Sequence, residues 1–512
     1  MTAILKTVPI FGEGVYSRSA VVTRQRRLNC YLEQRKDGDR AKIVAYGTPG
    51  LALAFNNGSP GNLPARGMLG NNSALYIVAG GVLQSLSVAT TAGVAPTNVP
   101  SFVASQVFSG AIGSSVGLVG MALNPTQLLI VDGAAGYVYT PAAGTIVTVG
   151  GAFPNGAKTA AYCNGFFICE LPGTNQFFVS NLNDGTTWSG LSFAAAVQAI
   201  DGIVAADQLA GILVIFSTGH CEFWQNQGLT QEPFVYIANS AAMYGLAAVN
   251  SRVHAGDSLY FLAQAGGGSF QNSAGSYQVC RIYGASVEVV STPDIDNILQ
   301  TMARTSTIAD ATAFSYQVDS HYMVQFNFPT ANRSLLYDAK ERVWGEVQSG
   351  LTTLYAARHL GNLCALAFGQ TFVGDYANGN VYTFQPGVYT DNGNTILREL
   401  ITKCAVDNYN TFRVGACLLD METGVGLPLP TQQGYNPLLM LAVARDGRDF
   451  GPDRLVPLGQ LGQFLTRVYS RRWGRARTFT LRIRMTDPVA FTLVHGALMS
   501  RSRARGASQQ AA

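Results

Sequence analysis

Charge is what this sequence has least of. Asp, Glu, Lys and Arg make up 12% of its 512 residues, about half of the roughly 25% usual in soluble domains. So lightly charged a chain repels itself weakly, which points to a surface covered by copies of itself or by neighbours. Histidine is scarce, five in all and without H-x-x-x-H spacing, and the eight cysteines at 30, 163, 169, 221, 280, 364, 404 and 417 contain no CxxC pair. Both lacks argue against a metal centre. Cysteines in strand-like runs, Cys169 in FFICEL and Cys364 in LCALAF, read instead as small buried hydrophobes of a protein folded in a reducing cytosol. No run of about 18 apolar residues offers a membrane-spanning helix. The opening MTAILKTVPIFGEG lacks the basic start and long apolar core of a signal peptide, so membrane contact is expected only through partners. There is no GxSxG elbow, and the Gly266–268 run is not followed by the GK[ST] that opens a phosphate-cradling helix. No catalytic residue, cofactor site or metal ligand is assigned.

What is abundant is glycine, 56 residues, with many Tyr and Phe. That mixture suits short strands joined by tight turns and argues against helical bundles. At this length two or three domains are expected. From about residue 65 to 385 one pattern recurs, an apolar strand, a Gly, Asp or Asn turn, then a strand rich in Tyr, Phe or Val. Its instances are LYIVAGGVLQSL at 75, LLIVDGAAGYVYT at 128, FFICELPGTNQFFVS at 166, ILVIFSTGHCEFW at 212, SLYFLAQ at 258, HYMVQFNF at 321 and LCALAFGQTFVGDYANGNVYTF at 363. Spacings of roughly 40 to 60 residues are those of four-stranded propeller blades, although stacked antiparallel sheets fit as well. One helix is expected, PDIDNILQTMART, with Ile295, Ile298, Leu299 and Met302 on one face.

After about 390 the spacing changes to that of an antiparallel sandwich, including FRVGACLLDMETG, LLMLAVARDGRDFGP, TFTLRIRMT and AFTLVHGALM. The fold class expected is therefore all-β: a β-propeller-like domain of about seven repeats over 61–390, and a β-sandwich-like platform over 391–500. The N-terminal segment 1–60 joins the platform, and 501–512 forms a disordered basic tail.

Two stretches are basic. The first holds Arg18, Arg24, Arg26, Arg27, Arg35, Lys36, Arg40 and Lys42; the second, 467–488, reads RVYSRRWGRARTFTLRIRMTDP. In the second, Phe479, Leu481, Ile483 and Met485 alternate with Arg482 and Arg484, the period of a strand with one dry face. From 455 to the end there are ten arginines and a single acid, Asp487. Such a strand faces a polyanion or an acidic partner, or is an edge strand protected by charge. The two basic stretches are expected to share a surface, because chain termini often lie close together. The residues expected to contact an adaptor protein or DNA are Arg467, Arg471, Arg472, Arg475, Arg477, Arg482, Arg484, Arg24, Arg26 and Arg27.

One turn, NLNDGTTW at 181–188, resembles the Asp-box hairpin of sialidase-type propellers, which braces a blade away from the catalytic site. A carbohydrate-binding or glycosidase propeller is accordingly the alternative function, and a protein-interaction platform a third. The wider pattern resembles another family. NCYLEQRKDGDRAKIVAYGTPGLALA at 29–54, FSTGHCEFWQNQG at 216, AMYGLAA before DSLYFLA at 257, LLYDAKERVWGE at 335, and ARDGRDFGP followed by LGQFLTRVYSRRWGRARTFTLRIRMTDP are similar, in this order, to the packaged-DNA stabilisation proteins of short-tailed bacteriophages. The usual DGG turn of that family is Asp446-Gly447-Arg448 here. The resemblance implies a non-enzymatic tail hub or nozzle: a homo-oligomeric ring, commonly of six copies, below the portal and its head-to-tail adaptor. It extends the DNA channel, retains packaged double-stranded DNA through contacts that ignore sequence, and holds tail fibres, spikes or a needle. Such a protein is assembled in the host bacterial cytoplasm, resides in the virion, and carries no cofactor.

Overall fold

The computed structural model describes residues 4–7, 14–15, 24–35, 42–88, 102–198, 201–229, 232–265, 276–350, 357–385, 387–407, 410–447 and 449–502. The chain divides into two compact units, Met1–Leu51 with Leu335–Ala357 and Gln385–Ala512, and Ala52–Ser334 with Arg358–Phe384. The basic tail expected at the C-terminus lies outside the described residues from 503 onward.

The first unit is a sandwich. One sheet orders Cys30–Gln34, Ile43–Gly47, Thr492–Ser502, Phe412–Met421 and Val468–Ala476, with Ile4–Thr7 paired to Thr492–Ser502. The other contains Val343–Glu346, Arg26–Leu28, Arg398–Ile401, Thr478–Met485, Leu438–Arg445 and Arg454–Pro457 in that order. Local sequence explains the layering. In FRVGACLLDM the side chains of Phe412, Val414, Cys417, Leu419 and Met421 are buried while Arg413, Gly415 and Leu418 face solvent. The alternation slips where a bulge separates Val414 from Ala416. In TFTLRIRM, Phe479, Leu481, Ile483 and Met485 enter the core as their spacing predicts, beside Leu439, Leu441, Trp473 and Leu493. Each such side chain contributes roughly 1.5–3 kcal/mol by leaving water.

The second unit is a propeller. Five sheets follow one another: 65–108, 120–148, 161–195, 203–236 and 244–289. The hairpin Thr312–Val318/His321–Phe328 comes next. The last sheet sets Gly361–Ala367, Gln370–Asp375 and Asn380–Phe384 beside Leu51–Asn56. Each of these seven blades touches the next, and the last touches the first, so the ring is closed. Blades pack through facing aromatic pairs: Phe177 meets the Trp224 ring at 5.2 Å and Phe216 meets Phe261 at 5.0 Å. The helix Pro293–Thr305 starts with proline, has Asp294 and Asp296 in its first turn and Arg304 in its last, and buries Ile295, Ile298, Leu299 and Met302. Proline pre-sets the first helical φ, and the charges oppose the helix dipole. The eight cysteines are all free thiols; Cys364 and Cys404 are half-buried and the rest buried.

Candidate basic interface

The ten arginines separate into three environments. Arg26 and Arg27 lie on Arg26–Leu28, a strand inside its sheet between Val343–Glu346 and Arg398–Ile401, and each is only 4% exposed. Arg26 donates Nε to Glu346 at 2.7 Å and Nη1 to Glu399 at 3.1 Å. Arg27 donates Nη2 to the Trp344 carbonyl, and burial lowers its pKa to about 10. These two therefore brace the sandwich, their guanidinium groups buried against Glu346, Glu399 and the Trp344 carbonyl rather than displayed to solvent. Arg24 is half-buried and has partners. Arg18, Lys36 and Arg40 lie outside the described residues.

Arg482 and Arg484 form the second environment. Both are half-buried. Arg482 pairs with Asp453 at 3.0 Å and lies over the Phe450 ring at 4.5 Å, and Arg484 pairs with the second oxygen of Glu399. Glu399 is buried and takes up the charge of Arg484 within the fold, whereas Asp453 meets Arg482 at the surface; the non-core face of this strand is polar but compensated.

The third environment is exposed. Arg467, Arg471, Arg472, Arg475 and Arg477 are all exposed, and none is in an ion pair with a described residue. Three of them lie on Val468–Ala476, at the edge of its sheet. A regular strand would send Arg471 and Arg472 to opposite faces; here the bulge, with Arg472 at φ 61° and Gly474 at φ 92°, exposes both. Bulges commonly re-aim side chains in this way. The distorted backbone is held by Arg454, whose guanidinium donates to the carbonyls of Arg471 and Arg472 (3.1 Å for the latter) while resting on the Trp473 ring at 4.2 Å. Trp473 is itself buried and donates Nε1 to the Ser470 carbonyl at 3.1 Å. Two further exposed arginines share this region and were not singled out from sequence. Arg413 pairs in register with Arg475, and a Cβ on Gly474 would sit 3.0 Å from Arg445 Nη1. The alternation FRVGAC could have placed Arg413 outward; no local signal places Arg445 beside it.

Toward the other end of the same strand the surface changes character. Arg471 lies over the Tyr469 ring at 5.0 Å, and a hollow of about 500 Å³ is lined by Leu418, His495, Phe464, Leu465 and Arg467. Phe464 and Leu465 are 72% and 96% exposed. They sit on a loop held by its own backbone: Gly462 donates to Gly424 at 3.1 Å, Gln463 to Gln460 at 3.0 Å and Thr423 Oγ1 to the Phe464 carbonyl at 2.9 Å.

Among its described residues the propeller brings together no comparable cluster of side chains. Among the described residues no group of three or more His, Cys, Asp or Glu is placed to hold a metal ion. His254 Nε2 lies 3.0 Å from Asp207, but the nearby Ser315 hydroxyl donates to the His254 carbonyl, not to its ring. Several of the propeller's arginines are held locally: Arg66 by the carbonyls of Gly80, Ser114, Val116 and Gly117, Arg252 by Asp207, Arg281 by Asp257 and Arg358 by Asn362. In the Asp-box-like turn, Asp184 accepts from the Thr186 amide at 2.9 Å, and Trp188 donates to the Gly185 carbonyl at 2.8 Å and packs on Phe153. The turn is a blade brace. No helix of the described residues is long and apolar enough to cross a membrane.

No curated protein matches the chain. Among solved structures, the WD40 domain of Neurospora crassa Pan2 aligns at 9% identity and a TM-score of 0.41, covering 69% of this chain and 98% of that one. The N-terminal domain of Nup159 aligns at 10% identity and 0.39, covering 70% and 98%. A sequence profile described as Bacteriophage P22 Gp10, beta-propeller, matches residues 57–389, and one described as Bacteriophage P22 Gp10, beta-sandwich, matches 397–499. With both of its domains matched in chain order, this chain belongs to the bacteriophage P22 Gp10 family of structural tail-stabilisation proteins.

Proposed function

We propose that the chain is the hub or nozzle subunit of a short phage tail: a cyclic ring, commonly six copies, below the portal and adaptor. The ring extends the DNA channel, retains the genome and anchors fibres, spikes or a needle. The observation that carries this reading is the family match running through propeller and sandwich alike. A closed all-β body with few surface charges suits permanent subunit contacts, which in obligate oligomers are large and apolar.

The surface around Arg467, Arg471 and Arg472 serves docking to an acidic face of the neighbouring ring. Arginine and tyrosine flanked by exposed Phe464 and Leu465 is the mixture found at the centre of protein interfaces, and three uncompensated guanidinium groups call for carboxylates opposite. Light scattering of the recombinant protein, alone and with the adaptor, tests both parts. The expected result is a stable oligomer that binds the adaptor, with Arg471→Glu/Arg472→Glu abolishing docking and sparing the oligomer. A monomer under all assembly conditions, with no copy in purified particles, would sink the ring.

A further inference from the structure

We propose that Arg398, enclosed within the sandwich, binds a small inorganic anion the size of chloride. The inference is independent of the tail-hub reading and concerns residues of the sandwich unit alone.

Arg398 is 0% exposed and is the bulkiest of the fully buried side chains. Strand geometry sends it and its neighbour Glu399 to opposite faces. Glu399 has both carboxylate oxygens committed on its own face, to Arg26 and Arg484, so it is no counter-charge for Arg398. The arginine reaches instead toward Gly47, which ends the strand Ile43–Gly47 of the other sheet. A Cβ on Gly47 would lie 2.4 Å from Arg398 Nε and 2.8 Å from its Cδ. Gly47 is not among the glycines with positive φ. Glycine is required there for the room it leaves the guanidinium group.

The group is given room and little else. Nη2 donates to the Thr48 carbonyl at a long 3.4 Å, while Nε and Nη1 meet no acceptor among the described residues. The Tyr389 ring lies 5.4 Å away. Asp391 attracts the guanidinium group only from beyond ion-pair range. Its carboxyl group already accepts from the Leu51 amide and the Ser349 hydroxyl, and burial raises its pKa to about 6. The Cys30 thiol, pushed up to about 12, carries no charge. A buried cation without a counter-charge is strongly destabilising. Water satisfies the donors and leaves the charge uncompensated. A monatomic anion does both, and the complete enclosure of Arg398 favours it over a phosphate or a carboxylate.

The test is urea denaturation of the full-length protein at about pH 5, where Asp391 is largely protonated, in sodium chloride and in sodium gluconate of equal ionic strength. Gluconate is too large for an enclosed site. If the folded state alone binds chloride with about millimolar affinity, raising chloride from about 10 to about 100 mM lowers the unfolding equilibrium constant about tenfold. Gluconate should give no such change. Arg398→Met should fold, because an apolar side chain of similar volume commonly replaces a buried charge without loss, and it should unfold alike in the two salts. A second measurement needs no variant: in wild-type crystals soaked in bromide, anomalous scattering should place a bromide within hydrogen-bond reach of Arg398 Nε or Nη1. Three results would each overturn the proposal: equal unfolding of wild type in both salts, a chloride effect undiminished in Arg398→Met, or bromide found solely beside surface arginines, which would mean an adventitious ion only.

Discussion

At the scale of single residues, the sandwich contains a carboxyl group whose titration is linked to folding. Asp391 is 2% exposed, accepts hydrogen bonds from the Leu51 amide at 3.3 Å and the Ser349 hydroxyl at 2.6 Å, and burial pushes its pKa from 3.8 up to about 6. The folded state therefore holds this proton more tightly than the unfolded state does. Its contribution favours folding fully below pH 3.8 and is lost as pH rises through about 6. At 1.36 kcal/mol per pKa unit the whole swing is ~3 kcal/mol. Asp391→Asn removes the ionisation and keeps an acceptor for Leu51, while its amide can donate to the Ser349 hydroxyl. Urea denaturation at pH 4, 6 and 8 should show the variant gaining on wild type as pH rises, by up to about 3 kcal/mol at pH 8. A difference independent of pH would refute the assignment.

At the scale of elements, Arg26–Leu28 is three residues long, too short to hold its place through backbone pairing alone. Its anchorage is the network of Arg26 with Glu346 and Glu399, the latter shared with Arg484. Arg26→Ala strips two buried carboxylates of a partner and should destabilise the sandwich by about 3–5 kcal/mol. Arg471→Ala, on an exposed side chain, should stay within about 0.5 kcal/mol; comparable losses in a chemical melt would contradict the division of arginines drawn above. The same network shows what the sequence does and does not disclose. The period-2 run of Phe479, Leu481, Ile483 and Met485 reveals a strand and its dry face without any other residue. The state of Arg482 and Arg484 depends on Asp453, in the loop before Arg454–Pro457, and on Glu399, on Arg398–Ile401, both distant in the chain, so no local pattern tells a wet arginine from a paired one. Blade repeats were legible because each turn is local. That Arg413 faces Arg475 follows from register, which a bulge at 414–416 shifts, and a bulge leaves no signature in composition.

At the scale of the whole molecule, the propeller depends on one joint between distant parts of the chain. Blades 65–108 through 244–289 are built from consecutive segments, whereas the last blade joins Leu51–Asn56 to three strands from 361–384. Without that strand the ring would expose an unpaired edge, and closure is how propellers avoid one. The joint is secured by the Asn57 amide donating to the Gly379 carbonyl at 2.7 Å, the Asn56 side chain to Asn380 at 2.9 Å, and the Gly379 amide to Asn62 Oδ1 at 3.1 Å. Gly379 has no room for a side chain, since a Cβ there would lie 2.4 Å from Asn57 Oδ1 and 2.9 Å from Asn62 Oδ1. Gly379→Val must push both asparagines away and lose their hydrogen bonds together with the packing, a loss on the order of 2–4 kcal/mol. Because it acts on the closing blade, calorimetry should show the propeller transition moved to lower temperature, with the sandwich transition in place. Leu366→Ala, which truncates a side chain 64% exposed on the same blade, should move neither. If Gly379→Val leaves the propeller transition where it was, this latch does not hold the ring shut, and closure must rest on the apolar contacts between blades.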